Sequence, residues 1–116
     1  LDPSYVQAHK LLAVSFTKTG DQHKATKSLE NALKYARDDV EAWVMLANLH
    51  IEMNDVTEVR GSLEQARRFS HTGSKNYRVL NNILLGIPKS GSEQNKETVQ
   101  LLSENIETLK ELLKNL

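Results

Sequence analysis

The feature that most constrains this chain is an internal repeat. The segments "VQAHKLLAVSFTKTGDQHKATKSLENALKYARDD" (residues 6–39) and "VEAWVMLANLHIEMNDVTEVRGSLEQARRFSHTG" (residues 40–73) are each 34 residues long and align without a gap. Ala8 falls on Ala42, His9 on Trp43, Leu12 on Leu46, Ala13 on Ala47, Leu29 on Leu63 and Ala32 on Ala66. Such a period marks a unit that cannot bury its apolar face alone and stacks on a copy of itself to do so. The repeat also accounts for the single tryptophan. His9 and Tyr77 lie 34 residues to either side of Trp43, so Trp43 reads as a packing residue rather than part of a ligand pocket.

Within each unit, apolar residues over 7–19 and 41–53 recur at three- and four-residue steps, which predicts amphipathic helices. The small residues Ala13, Ala32, Ala47 and Ala66 let paired helices approach closely, while Leu29 or Trp43 fills the space between them. Ser4 with Gln7, Asp38 with Glu41, and Asp55 with Glu58 have the spacing of capping boxes. Gly20-Asp21 and Asn54-Asp55 each offer a residue tolerant of positive φ followed by a helix cap.

A third unit (74–87) keeps the register through Ser74, Tyr77, Leu80 and Leu84, then departs, with Asn81 where a small residue belongs. "GIPKSGS" (86–92) reads as a linker. A C-terminal helix is expected over 93–116, opened by Ser90 with Glu93 and striped by Val99, Leu102, Ile106, Leu109, Leu113 and Leu116. The principal reading of this helix is a cap over the open apolar face of the last repeat. A coiled coil joining two copies is the alternative, although the stripe is short for one. A third reading lays the helix in the protein's own groove.

Composition excludes several function classes. Lys+Arg and Asp+Glu both total 15, so no net field draws the chain to nucleic acid or to anionic lipid. The absence of cysteine removes disulfides, thiolate zinc sites and thiol catalysis, and points to an intracellular, cytoplasmic setting. No apolar run approaches the roughly 18 residues of a membrane span. His9, His23, His50 and His71 show no metal-ligand spacing, and no phosphate loop or nucleophile motif is present, so neither cofactor nor catalytic residue is expected.

The period and these residues together resemble the tetratricopeptide repeat, a helix–turn–helix unit of this length. Trp43, Leu46, Ala47, Leu63 and Ala66 match its pattern in one repeat. Leu12, Ala13, Phe16, Ala25, Leu29 and Ala32 match it in the other, with Pro3 closing the repeat before. Departures are His9, His50, Val59, and Arg37 and His71 at the usual proline. The resemblance implies an all-α solenoid, a single domain over 1–116 with a C-terminal capping helix, and a piece of a longer repeat array. It also implies a non-catalytic scaffold that holds a partner protein's peptide or helix in a concave groove lined by the first helix of each repeat.

Carried over by position, that groove would display Gln7, Lys10, Val14, Thr17 and Lys18 from the first unit. The second would add Glu41, Val44, Met45, Asn48, Ile51 and Glu52, and the third Lys75, Arg78, Val79 and Asn82. Asn48 and Asn82, one repeat apart, are expected to hydrogen-bond an extended main chain. Lys75, Arg78 and Lys89, with no acid over 72–91, favour an acidic partner at one end. A carboxylate clamp of the kind some family members use keeps Lys10 and Lys75 but has Val14, Met45 and Val79 at its other positions, so it is expected to be weak. Self-association through the C-terminal helix is the alternative function, and an RNA-binding helical repeat a remoter one that neutral charge and few aromatics oppose.

Overall fold

Helix-favouring segments punctuated by glycine and aspartate give six α-helices in a computed structural model that describes residues 3–87 and 96–114. They are α1 (Pro3–Lys18), α2 (Gln22–Tyr35), α3 (Val40–Glu52), α4 (Val56–Arg68), α5 (Lys75–Leu85) and α6 (Lys96–Lys114). Helices α1/α2 and α3/α4 form two antiparallel pairs, α2 packs on α3, and α4 packs on α5. The fold is thus an all-α stack of helical pairs. The first helices α1, α3 and α5 form one side, called here the inner face.

The turns follow the chemistry of the residues that make them. Gly20 (φ 83°) and Asn54 (φ 58°), one repeat apart, both adopt the left-handed conformation that ends a helix. Asp21 then caps α2 by accepting from the Lys24 N–H, and Ser74 caps α5 by accepting from the Tyr77 N–H. At α3 the cap is Asp39, which accepts from the Ala42 N–H at 3.2 Å, one residue later than the expected Asp38. Asp55 occupies the cap of α4 without a side-chain hydrogen bond to it. Helix α1 already includes Ser4, and the expected Ser90–Glu93 cap lies outside the described residues.

Two apolar clusters hold the stack. Ala13, Ala25, Leu29, Leu33, Ala42, Leu46 and Leu49 join α1, α2 and α3. Val44, Ala47, Ile51, Val59, Leu63 and Ala66 join α5 residues Leu80, Ile83 and Leu84 and α6 residues Leu102, Leu109 and Leu112. Leu29 and Leu63 are fully buried at equivalent positions, each stabilising the fold by about 1.5–3 kcal/mol through side-chain burial. Trp43 packs against both clusters, and its indole N–H donates to the Arg37 carbonyl at 2.8 Å. The lone tryptophan joins one repeat to the next.

The third unit differs from the first two. Helix α6 runs antiparallel to α5 but packs on it only lightly, and its main seat is α3. It does cover Leu80, Ile83 and Leu84, as a cap should, yet it also lies across the inner side of the second repeat. With no second helix pressed onto α5, a small residue at position 81 is unnecessary. Asn81 instead accepts a hydrogen bond from the Arg67 guanidinium at 2.9 Å, tying α4 to α5. Of the expected stripe, Leu102 and Leu109 are buried and Ile106 and Leu113 half-buried; Leu112, off the stripe, is buried too. The Val99 side chain and Leu116 lie outside the description.

Candidate functional site

Helical periodicity places Val14 and Lys18 on the inner side of α1, and Met45, Asn48 and Glu52 on the inner side of α3. These five residues converge on one open pocket of about 250 Å³. Ala13, Leu29 and Leu49 line it further, Thr17 adds to the α1 wall, and Lys110 and Leu113 of α6 close one side. The lining is almost wholly apolar. The Thr17 hydroxyl donates to the Ala13 carbonyl, and Glu52 accepts from the Gln22 amide at 3.1 Å, so both are already engaged. The Asn48 side-chain oxygen is buried and has no hydrogen-bond partner among the described residues. A buried acceptor left unpaired is unfavourable.

The other expected groove residues do not join this pocket. Val44 and Ile51 are buried, 0% and 5% exposed, in the same cluster as Leu102, Leu109 and Leu112. Helix α6 lies over them, so they cannot line an open groove here, and that expectation is corrected. Lys10 is also committed elsewhere. Its ammonium lies 2.9 Å from Asp39 and 2.8 Å from Glu41, with the side chain 11% exposed. Burial lowers the pKa of Lys10, but hydrogen bonds to Glu41 and Asp39 and their negative charge outweigh it and hold the pKa above the ordinary lysine value. With Lys10 pinned between two carboxylates and Val14, Met45 and Val79 in place, a carboxylate clamp would rest on Lys75 alone.

Beyond α6, Lys75, Arg78 and Asn82 are exposed on α5 and Val79 is half-buried. Lys75 and Val79 share a separate cleft with Thr108, Glu111 and Leu112 of α6. The basic end of the inner face is therefore bordered by an acid of the chain's own last helix. Helix α6 borders both the α1–α3 pocket, which Asn48 lines, and the cleft beside Lys75 and Val79; Asn82 lines neither.

Sequence reasoning missed Lys110 and Leu113 as pocket walls. The apolar stripe of α6 announces that the helix docks, but not where. A more polar hollow of about 350 Å³ lies on the outer side among α2, α3 and α4, bordered by Glu30, Lys34, Arg37, Trp43 and Glu58, and no sequence signal singled it out. Among the described residues no three His, Asp or Glu side chains converge as metal ligands, and no helix is long and apolar enough to cross a membrane.

Comparison with known proteins agrees with the repeat geometry. The family model described as Tetratricopeptide repeat matches residues 16–74, just over half of the chain. No curated protein and no solved structure matches.

Proposed function

Because the chain belongs to the tetratricopeptide repeat family, whose repeats generally mediate protein–protein interaction, we propose that it is a non-catalytic scaffold that holds a segment of a partner protein between α1 and α3. The observation that carries this reading is the convergence of Val14, Lys18, Met45, Asn48 and Glu52 on one open, largely apolar pocket. An apolar side chain of the partner rests against Val14, Met45, Leu29 and Leu113, and the Asn48 amide nitrogen donates to a partner main-chain carbonyl. Met45 suits such a surface because its flexible thioether adapts to differently shaped ligands. Lys18 and Glu52 at the rim offer one charge of each sign, which favours a partner segment of mixed charge.

Self-association through the C-terminal helix finds less support, since Leu102, Leu109 and Leu112 are buried within the chain. The equal totals of Lys+Arg and Asp+Glu, 15 each, also oppose a nucleic-acid ligand.

Peptides selected against the wild-type chain from a displayed random library test the pocket. Met45→Glu should abolish their binding. Asn48→Ala should weaken it by up to about tenfold, the worth of one neutral hydrogen bond. Arg78→Glu, across α6, should leave it unchanged. Binding that survives both pocket substitutions would place recognition elsewhere.

A further inference from the structure

Helix α6 is seated mainly on α3 and only lightly on α5, whereas polar side-chain bonds tie the earlier helices to one another. Lys10 ties α1 to Asp39 and Glu41, Gln22 ties α2 to Glu52, and Arg67 ties α4 to Asn81. Within α6, Gln100 bonds Glu104, Asn105 bonds the Leu101 carbonyl, and Lys110 pairs with Glu107. Leu102, Leu109 and Leu112 of α6 are buried in the cluster that holds Val44, Ile51 and Leu80. Apolar burial is non-directional and scales with area, so it does not distinguish this helix from another of the same pattern. The outer side of α6, including Glu104 and Glu107, is exposed and charged. It is an amphipathic helix that water tolerates when released.

We propose that the inner face of α3 and α5 is a seat for an amphipathic helix, that α6 is its resident occupant, and that a partner protein's helix enters by exchange with α6. The resident defines the ligand: Leu or Ile at the spacing of Leu102, Leu109 and Leu112, with an acidic residue where Glu111 borders Lys75. Exchange rather than simple opening follows from Val44 and Ile51, whose apolar surface would otherwise face water. The covalent tether holds α6 at an effective concentration on the order of millimolar, so the partner must outcompete it. Leu113 and Lys110 also wall the α1–α3 pocket, so exchange reshapes that pocket and couples the two stretches of the inner face. This inference rests on the inner face being the recognition side, as proposed above.

The test uses the full chain and a fluorescent peptide of residues 96–114. The peptide should bind Leu109→Glu chain at least about tenfold more tightly than wild type, because the tethered competitor has been weakened. Adding Val44→Glu should abolish that binding, whereas Asn48→Ala should leave it intact. Loss of the selected pocket peptides with Asn48→Ala is thus a separate result. No gain in binding by a cooperatively folded Leu109→Glu chain overturns the proposal. Should that variant unfold, Leu109→Ala serves in its place and should show the same order of affinities. In the unaltered chain, α6 amides should exchange hydrogen sooner than α3 amides, and equal protection overturns the proposal. A dimer whose α6 helices are swapped between copies and which admits no peptide also overturns it.

Discussion

Helices α1 and α3 hold equivalent places in consecutive repeats, and their fates divide residue by residue. Ala13 and Ala47, which face the second helix of their own unit, are both buried, at 1% and 0% exposure. Leu12 and Leu46 are also equivalent, yet Leu12 is 45% exposed and Leu46 6%. Ala8 is exposed and Ala42 buried. The difference lies in the neighbours. Helix α3 is flanked by α2, α4 and α6, whereas the corresponding side of α1 faces no described helix. One pattern therefore encodes two kinds of contact: those within a unit, made in both repeats, and those between units, made only where a neighbour stands.

That division should appear most strongly in stability. Leu46→Ala empties a site between α2 and α3 and should cost about 2–5 kcal/mol in urea unfolding. Leu12→Ala, at the equivalent exposed site, should cost less than about 1 kcal/mol, because little apolar area returns to water. Equal losses would break the comparison.

The turns should differ less. Gly20→Ala places a Cβ in the left-handed region and should cost about 1–2 kcal/mol, although that Cβ would meet nothing within 4 Å. Asn54→Gly, at the matching turn, should change stability by only a few tenths of a kcal/mol. A large loss there would mean that the two turns are held by different forces.

A smaller effect sharpens the link between the repeats. Lys10→Met removes the cation shared by Asp39 and Glu41 and should cost about 1 kcal/mol at neutral pH. The pKa of Lys10 is raised on folding, so its contribution is complete below the unfolded value near 10.4 and fades as pH rises through the folded one. Urea midpoints of wild type and variant should therefore converge in strongly alkaline solution. A gap that widens with pH would show that Lys10 acts in some other way.

Much of this fold is legible in the sequence because it depends on local rules. Alanines at matching positions, leucines between them, and Gly20 or Asn54 before an aspartate specify the helical pairs and their turns. The family and the all-α stack follow from the same period. Less legible are contacts that join distant segments without respecting it. Lys10 meets acids about thirty residues away, and nothing in the repeat foretells that pairing. The stripe on α6 reveals an apolar side but not its receptor, which is why Val44 and Ile51 look open in sequence and are covered in the fold. Position alone assigns a residue to the inner face, whereas coverage depends on where α6 docks. The partner-binding roles of Val14, Lys18, Met45, Asn48 and Glu52 are the proposal made above, and their convergence on one pocket motivates it.

The central claim is that the inner face is open along α1 and α3 near Val14 and covered by α6 over Val44. The chain contains no cysteine, so Val14→Cys and Val44→Cys each introduce one unique thiol. The decisive measurement is the rate at which a thiol reagent labels each folded variant. The account predicts rapid labelling at position 14 and labelling at least about tenfold slower at position 44, where reaction must await a local opening. Equal rates at the two positions would contradict it.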